Sequence, residues 1–269
     1  MGRARSYTLL VNSSDGFEDC WVPFFTLLER YWKGLDAPIL LNTENQSRTF
    51  DKLSVRCARA QSKYDRRLTW SECLAEALRQ VETELVLYLQ EDYFIEQPVD
   101  AELIQSLADL MRSRPDIKHI GLTHFGSHPP FEPFRHDSRL WTISPKARYR
   151  VSTQAGLWRK DALQSILLPW ENGWMFEIFG SIRAARGADL YLTVRRDTAR
   201  PPIYYQHTGI VKGRWSRFVE PLFEREGIEV DFSRRGFWMD STPAIYRRAG
   251  LLAKIASHPL LALRSLLAK

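Results

Sequence analysis

The sequence has few cysteines and no long hydrophobic run. Its three cysteines are Cys20, Cys57 and Cys73, and no two of them have the spacing of a zinc site or a disulfide framework. We therefore expect a reducing, cytoplasmic environment. The basic N-terminus is followed only by the short apolar run Tyr7–Val11, and no stretch of about 18 apolar residues occurs. The sequence thus predicts neither an exported nor a membrane-spanning protein.

Excess charge is also scarce outside the C-terminal segment. The chain has 38 Lys and Arg against 32 Asp and Glu, a net charge of +6. Residues 241–269 contain five of the cations and no acid, which leaves 33 against 32, or +1, for residues 1–240. A nearly neutral body argues against a protein that follows a nucleic-acid backbone, so we expect no nucleic-acid partner. The basic tail is compatible with an anionic membrane surface.

The chain also lacks the Gly and Pro bias of collagen-like or disordered sequences, and 44% hydrophobic residues are enough for a substantial core. Strand-like apolar runs alternate with helical periodicities. The pattern predicts strands at Tyr7–Val11, Pro38–Leu41, Leu53–Val55, Leu85–Leu89, Ile117–Gly121, Tyr149–Ala155 and 188–194, and helices near 19–28, 69–81, 101–112, 161–168 and 174–185. This order favours an α/β fold with a mostly parallel central sheet flanked by helices. We expect a single domain at residues 1–240 and a basic amphipathic helical tail at residues 241–269.

Glu91 and Asp92 directly follow the apolar strand at Leu85–Leu89. Ligands of open α/β sheets bind outside the carboxyl ends of strands. Adjacent carboxylates beside a core repel each other unless they solvate a ligand, a cation or water, and Mg²⁺ or Mn²⁺ would take such oxygens and bridge a diphosphate. The alternative is a strand-ending loop with solvated acids.

With these acids in place, the chain between Tyr7 and Trp215 resembles the GT-A-fold glycosyltransferases, in particular the bacterial family-2-like enzymes that use nucleotide-sugar donors. The resemblance is in the first strand and its polar loop, and in the helix that leads into Leu-Val-Leu-Tyr-Leu-Gln-Glu-Asp-Tyr-Phe. It implies a nucleotide site formed by Asn12, Ser13, Asp15, Glu44 and Glu91. The metal motif of the family is Asp-x-Asp, and the triplet here is Gln90-Glu91-Asp92. Asp92 therefore matches the last acid, whereas Gln90 cannot supply the first negative charge.

Glu177 is surrounded by large apolar residues, and desolvation there would raise its pKa towards the range of a general base. The resemblance implies one such base on the acceptor side, and Glu171 is the second candidate. The alternative is that Glu177 lies on a solvated helix face.

His207, Lys212 and Arg214 lie in a glycine-punctuated loop after the last predicted strand. The resemblance implies that His207 completes the metal shell with Glu91 and Asp92. Lys212 and Arg214 would then stabilise the leaving diphosphate, which gains negative charge as the sugar bond breaks. The alternatives are a structural histidine and two surface charges.

Residues 123–148 are rich in His, Pro, Gly and aromatic residues, which predicts a long ordered loop at the acceptor. Gln154, Trp158 and Trp174 are candidates for the wall against which a sugar packs. The alternative is that all of these residues serve only in packing.

Together these features predict a cytoplasmic glycosyltransferase that uses a UDP-sugar and Mg²⁺ or Mn²⁺. Its acceptor would be a saccharide or a lipid-linked saccharide in bacterial surface polysaccharide or lipopolysaccharide assembly, with the tail at the inner face of the membrane. Two alternatives stay open. A sugar-phosphate nucleotidyltransferase would need a basic, Gly-rich phosphate loop where Asn12–Asp19 is acidic, and a carbohydrate-binding protein on the same fold would need no metal motif. The tail has its own alternative, a terminal helix docked on the body.

Overall fold

A computed structural model of the chain describes residues 6–197, 200–239 and 257–268. The strands in these ranges are β1 Tyr7–Asn12, β2 Ile39–Asn42, β3 Val55–Cys57, β4 Leu85–Gln90, β5 Ile117–Gly121, β6 Phe131–Pro133, β7 Leu140–Ile143, β8 Gly156–Arg159, β9 Leu190–Val194, β10 Ile210–Val211 and β11 Arg214–Trp215. The α-helices are α1 Glu18–Tyr31, α2 Trp70–Arg79, α3 Ala101–Ser113, α4 Lys160–Ser165, α5 Gly173–Ala184, α6 Val219–Glu226 and α7 Pro259–Leu267.

The first nine strands form one sheet in the order β3-β2-β1-β4-β8-β5-β9-β7-β6, and β10 and β11 form a separate hairpin. β7 and β8 run opposite to the other strands of the sheet. The predicted α/β fold with a mostly parallel sheet is therefore confirmed. The insertion of antiparallel β8 between β4 and β5 was not predicted.

Both faces of the central strands are covered, which explains why β1 and β4 are continuous apolar runs. Successive side chains of a strand point to opposite faces. Leu9 and Val11 accordingly pack with α1 and α3 on one face, while Leu10 packs with α2, α4 and α5 on the other. The sheet and these two helical layers hold the ends of the strands in fixed positions.

The helix that precedes β4 has the start that its sequence predicts. The backbone N–H of Glu72 donates to Thr69 Oγ1 at 3.2 Å, and the backbone N–H of Thr69 donates to Glu72 Oε2 at 2.9 Å. This capping box satisfies two backbone donors that the first turn would otherwise leave free.

The strand predicted at Tyr149–Ala155 is wrong, because that segment forms turns and bends and β8 begins only at Gly156. The buried guanidinium of Arg150 explains the bend. It donates to the carbonyl oxygens of Ile143, the last residue of β7, at 2.6 Å and of Asp189, the residue before β9, at 2.7 Å. The long loop predicted at residues 123–148 contains the short strands β6 and β7.

The end of the tail is a helix docked on the body. Ala262 of α7 packs against Met175 and Phe179 of α5, and Trp170 Nε1 donates to Ser265 Oγ at 2.9 Å. The rest of the tail, up to residue 256, lies outside the described residues, so the division at residue 240 stays a prediction. Within the ranges 6–197, 200–239 and 257–268, no helix has the length and apolar character needed to cross a membrane.

Candidate active site

The candidate residues gather at the edge of the sheet where β1, β2 and β4 end. Asn12 is in register with Asn42 on one side and with Gln90 on the other. Antiparallel β8 places its first residue, Gly156, opposite Tyr88, near the same edge. Because ligands bind outside the carboxyl ends of the parallel strands in such sheets, this edge is the candidate site.

Asp15, expected to contact a nucleotide, joins the loops after β1 and β2. Its carboxylate accepts hydrogen bonds from the backbone N–H groups of Glu44 at 2.9 Å, Asn45 at 2.9 Å and Gln46 at 3.2 Å. In return, the backbone N–H of Asp15 donates to Glu44 Oε2 at 3.3 Å. The two acids thus shape the loop, and the nucleotide contact of Asp15 stays a prediction.

Asn12 and Ser13 are also engaged. Asn42 Nδ2 donates to Asn12 Oδ1 at 2.8 Å in the core, and Trp21 Nε1 donates to Ser13 Oγ at 2.7 Å. Asn42 Oδ1 is buried and has no hydrogen-bond partner in the described ranges. An unpaired buried amide oxygen is costly unless a ligand or water uses it.

A cavity of about 420 Å³ opens beside these loops. Its lining comes from the β1 and β2 loops, the start of α2 and the loop before α5, and consists of Ser13, Ser14, Asn42, Glu44, Arg67, Leu68, Thr69, Trp70, Cys73, Trp170, Glu171 and Asn172. The volume is within the range of pockets that hold small ligands. Asn42 and Trp70 were not among the predicted site residues, and only their place at a strand end and a helix start would have indicated them.

Glu91 and Asp92 lie at the end of β4 as predicted, and both are desolvated. Burial raises the pKa of each carboxyl group, and the neighbouring Asp92 charge raises that of Glu91 further. Thr208 Oγ1 donates to Asp92 Oδ2 at 2.6 Å, and the backbone N–H of Gly209 donates to the carbonyl oxygen of Asp92, also at 2.6 Å. The loop before β10 is therefore folded against the acids.

Arg235 is a functional candidate that the sequence analysis missed. Its guanidinium forms two hydrogen bonds of 2.6 Å with Asp19 and lies 4.8 Å from the ring centre of Phe17. Its charge lowers the pKa values of Glu91 and Asp92, opposing the effect of burial. Nothing in the spacing links these groups, because Arg235 comes more than 200 residues after Asp19.

Lys212 and Arg214 lie on the β10–β11 hairpin, at the rim of this charged region. Arg235 Nη1 donates to the carbonyl oxygen of Gly213 at 3.4 Å, which places the turn of the hairpin beside the arginine. Lys212 and Gly213 form the turn of the hairpin, and both have positive φ angles. Arg214 and Lys212 are both exposed.

A divalent cation fits this pair of acids only in part. No group of three or more His, Cys, Asp and Glu residues that could hold a metal occurs in residues 6–197, 200–239 and 257–268. The ring of His207 lies 6.2 Å from that of Phe125 and 5.8 Å from that of Phe218, and its role as the third ligand stays a prediction. Mg²⁺ is nevertheless commonly held by one or two carboxylates together with substrate phosphates, and two adjacent desolvated carboxylates provide that donor set.

Glu177 lies on α5, whose first turn is capped by Asn172. Glu177 Oε1 accepts hydrogen bonds from the backbone N–H of Thr153 at 2.8 Å and from Thr153 Oγ1 at 2.9 Å, with Ser152 Oγ at 3.4 Å. Its carboxylate is half-buried and held in one orientation. This geometry supports neither a fully solvated helix face nor a position deep in the core.

Tyr93, Gln154 and Tyr205 form a hydrogen-bonded group near Asp92 and Glu177. Gln154 Nε2 donates to Tyr93 Oη at 2.7 Å, and Tyr205 Oη donates to Gln154 Oε1 at 3.0 Å. Burial raises the pKa of Tyr93, and the charges of Asp92 and Glu177 both raise it further. Both carboxylates are therefore within electrostatic reach of the same phenol.

Two predicted sugar-binding residues and the second candidate base make contacts with other parts of the protein. Trp158 is buried in the core, with its ring 4.2 Å from that of His119, so its prediction is wrong. Trp174 packs against the cluster that joins α5 to α7, and its sugar-binding role stays a prediction. Glu171 is fully buried and receives two hydrogen bonds from Arg183, at 2.8 and 2.5 Å.

No family model matches the chain, and no curated protein is significantly similar to it. Solved structures similar in fold include the TarS 1-349 fragment of S. aureus, with 14% identity, 85% of this chain and 68% of that chain covered and a TM-score of 0.45. A CMP:2-keto-3-deoxy-manno-octonic acid synthetase complexed with CTP has 14% identity, coverage of 82% and 97% and a TM-score of 0.40. Glucosyl-3-phosphoglycerate synthase from Mycobacterium tuberculosis, in complex with Mn²⁺ and UDP-glucose, has 16% identity, coverage of 84% and 80% and a TM-score of 0.39.

The chain has an α/β fold with a mostly parallel central sheet flanked by helices. Its likeness to these solved structures is distant, with TM-scores below 0.5.

Proposed function

We propose that the protein is a glycosyltransferase that moves a sugar from a nucleoside-diphosphate donor to an acceptor hydroxyl. One observation carries the proposal: Glu91 and Asp92 after β4 and Glu177 on α5 are brought to one region, with Tyr93 within electrostatic reach of Asp92 and Glu177. Sugar transfer needs both a charged site for a diphosphate and a separate base for the acceptor.

The cavity beside the β1 and β2 loops is the proposed nucleoside site. Trp70 and Arg67 offer flat faces for a base, and Asn42 and Ser13 offer hydrogen-bonding groups. Asp15 and Glu44 support the loop that forms the wall. The donor that we propose is a UDP-sugar.

Asp92 and Glu91 are the proposed protein ligands of Mg²⁺ or Mn²⁺, which when bound would neutralise the diphosphate. Arg235, Lys212 and Arg214 supply positive charge beside that position, where the leaving nucleoside diphosphate gains negative charge. His207 joins the shell only if its ring turns away from Phe125 and Phe218.

Glu177 is the proposed base. In an inverting transfer, its carboxylate takes the proton of the acceptor hydroxyl as that oxygen bonds to the anomeric carbon and the bond from this carbon to the nucleoside diphosphate breaks. Thr153 and Ser152 hold the carboxylate through hydrogen bonds, which fixes the direction of proton transfer. Gln154, held between Tyr93 and Tyr205, is the proposed contact for the transferred sugar or the acceptor.

The acceptor that we propose is a saccharide, free or lipid-linked, in surface polysaccharide or lipopolysaccharide assembly at the inner face of the membrane. The support is on α7, where four leucines on the surface away from α5 are exposed, Leu260 by 81%. The others are Leu263, Leu266 and Leu267. Exposed leucines beside a basic segment favour an anionic bilayer surface. Flotation with vesicles of phosphatidylglycerol should carry the protein upward, and Leu260→Ser with Leu267→Ser should abolish this, whereas binding that is equal with phosphatidylcholine would contradict it.

A sugar-phosphate nucleotidyltransferase is the second candidate. The loop after β1 argues against it. The carboxylate of Asp15 accepts hydrogen bonds from three backbone N–H groups, and the loop contains no basic residue that could bind a triphosphate. A carbohydrate-binding protein without catalysis is the third, and it predicts no nucleotide binding.

Calorimetric titration with UDP, GDP, CMP and dTDP, each with and without Mn²⁺, tests the proposal. We expect one nucleotide to bind only with metal, and Asp92→Asn to remove that dependence while the exposed control Asp65→Asn keeps it. Binding without metal would reassign Glu91 and Asp92. No binding of any nucleotide would favour the carbohydrate-binding alternative.

A further inference from the structure

The side chains of Arg148, Arg196 and His128 lie together around the loop that follows β5. The backbone N–H of His128 donates to the carbonyl oxygen of Arg148, and Arg196 donates to that of Ser127, the residue before His128. Burial, and then the charges of Arg196 and Arg148, lower the pKa of His128, which favours the neutral imidazole. We call these three residues the cationic cluster. Like charges this close repel one another unless an anion is present.

The described residues supply no carboxylate to the cluster. Arg196 donates to the carbonyl oxygen of Ser127 and lies 5.0 Å from the ring centre of Phe131, while its buried Nε has no partner in the described ranges. Burial alone lowers the pKa of Arg196. Arg195, the residue before Arg196, forms an ion pair with Asp197. The nearby carboxylate therefore compensates Arg195 and not the arginines of the cluster.

The cluster adjoins the proposed base. A Cβ atom at Gly126 would lie 2.5 Å from Ser152 Oγ and 2.8 Å from Gln154 Cγ. The loop backbone is therefore in close contact with Gln154 and with Ser152, whose hydroxyl donates to Glu177. His128 follows two residues later, and its backbone N–H donates to the carbonyl oxygen of Arg148 at 3.2 Å. The site is therefore next to the acceptor side of the proposed reaction.

The backbone at the cluster is strained. Tyr149, which follows Arg148, has a φ angle of +52°, a conformation that costs a tyrosine energy, and its ring lies 5.2 Å from that of His128. Such strain persists where the surrounding structure fixes the orientation of functional side chains.

We propose that the cationic cluster binds a phosphate group carried by the acceptor. This rests on the proposed glycosyltransferase function and adds the chemical class of its acceptor, a phosphorylated saccharide. Guanidinium groups match phosphate oxygens in pairs, and an imidazole that takes up a proton adds a third donor. A dianion also compensates two guanidinium groups and a protonated imidazole better than a carboxylate does.

Proton NMR of the imidazole of His128 tests this in the full-length protein. Inorganic phosphate is titrated at constant ionic strength, first alone and then with UDP and Mg²⁺ at saturation, and acetate serves as the second anion. We expect a saturable shift of the His128 signals with phosphate in both conditions. Arg148→Gln should weaken this binding by about tenfold or more, since it removes a charged hydrogen-bond donor.

Lys146→Gln, which removes an exposed cation from the same segment, is the matched control and should leave the titration unchanged. A His128 signal that does not respond to phosphate overturns the proposal, and so does an equal response to acetate or an unchanged titration in Arg148→Gln. A response of His128 in a protein that binds no nucleotide would keep the phosphate site and contradict the glycosyltransferase. Nucleotide binding without any response at His128 would do the reverse.

Discussion

Thr208 donates a hydrogen bond of 2.6 Å to Asp92, which lies 116 residues earlier in the sequence. The bond joins the loop before the β10–β11 hairpin to the acid at the end of β4. The bond fixes the orientation of the group, and within the described ranges no hydroxyl donates to the other carboxylate oxygen, Oδ1. The loop and the acid are therefore expected to act as a unit.

Thr208→Val should weaken metal-dependent nucleotide binding by about 10- to 100-fold, the usual effect of losing a group that orients a metal ligand. The reason is that Asp92 loses the donor that holds Oδ2. Calorimetry with and without Mn²⁺ measures the effect. Thr49→Val, at an exposed threonine, is the control, and equal binding by both variants would show that the bond has no functional role.

Glu177→Gln should lower the turnover rate by about 10²- to 10⁴-fold while nucleotide affinity stays the same, since a general base contributes that much to proton transfer. The substituted amide keeps an oxygen for Thr153. Donor-dependent transfer and calorimetry are measured on the same preparation, with Glu132→Gln as the exposed control. A rate like that of the parent protein would exclude Glu177 as the base.

Glu171→Gln should destabilise the protein by about 3–5 kcal/mol, because it leaves the buried guanidinium of Arg183 without its charged partner. Urea unfolding at pH 7 measures this. Glu171→Leu combined with Arg183→Met should recover much of the loss, since neither charge is then buried. If Glu171→Gln is as stable as the parent protein but inactive, Glu171 rather than Glu177 is the base.

Gly209→Ala should lower both stability and metal-dependent binding. A Cβ atom there would overlap the ring of Phe94, which is fully buried, and would lie 3.1 Å from the carbonyl oxygen of Asp92. The matched control is Gly187→Ala, where the nearest atom would be 3.8 Å away. Thermal unfolding and calorimetry should separate the two variants, and identical behaviour would mean that the loop tolerates displacement.

Stability should fall in acid because of His119. Burial lowers its pKa from 6.5 to about 3, and neither ring nitrogen has a hydrogen-bond partner in the described ranges. Below pH 6.5 the unfolded chain binds a proton that the folded protein excludes, so stability falls by up to about 1.4 kcal/mol per pH unit until the folded pKa is reached. Chemical unfolding between pH 7 and pH 4 measures the slope.

His119→Leu should flatten this pH dependence, whereas His136→Leu, at an exposed histidine, should not. Comparing slopes rather than absolute stabilities keeps the test independent of any packing change caused by the leucine. Parallel slopes for all three proteins would show that other groups dominate acid unfolding.

Local patterns predicted most of the elements because their causes are local. The strand Ile117–Gly121 has the predicted bounds, and α3 differs from its prediction by one residue. The capping box at Thr69 and Glu72 depends on residues three apart. The strand at Tyr149–Ala155 was wrong because Arg150, an ordinary strand residue by pattern, donates to the carbonyl oxygens of Ile143, seven residues earlier, and of Asp189, 39 residues later.

Site residues at strand ends were predictable to the extent that parallel strands end at a common edge. Glu91 and Asp92 lie there for that reason, and so do Asn12 and Ser13. Trp158 was misplaced because a tryptophan before a helix has no marker that distinguishes a sugar-binding face from a core position. Its neighbours, His119 and Tyr191, come from other strands.

The sequence by itself determined the alternation of strands and helices, the end of β4 as the place of two acids and the basic character of the tail, since each depends on neighbouring residues or on composition. Only the tertiary structure decided the rest. It placed Arg235 beside Asp19, Thr208 against Asp92, and Arg148 and Arg196 around His128. These contacts join segments that are dozens to hundreds of residues apart, and hydrogen bonds and Coulomb interactions depend on distance in space rather than on separation along the chain.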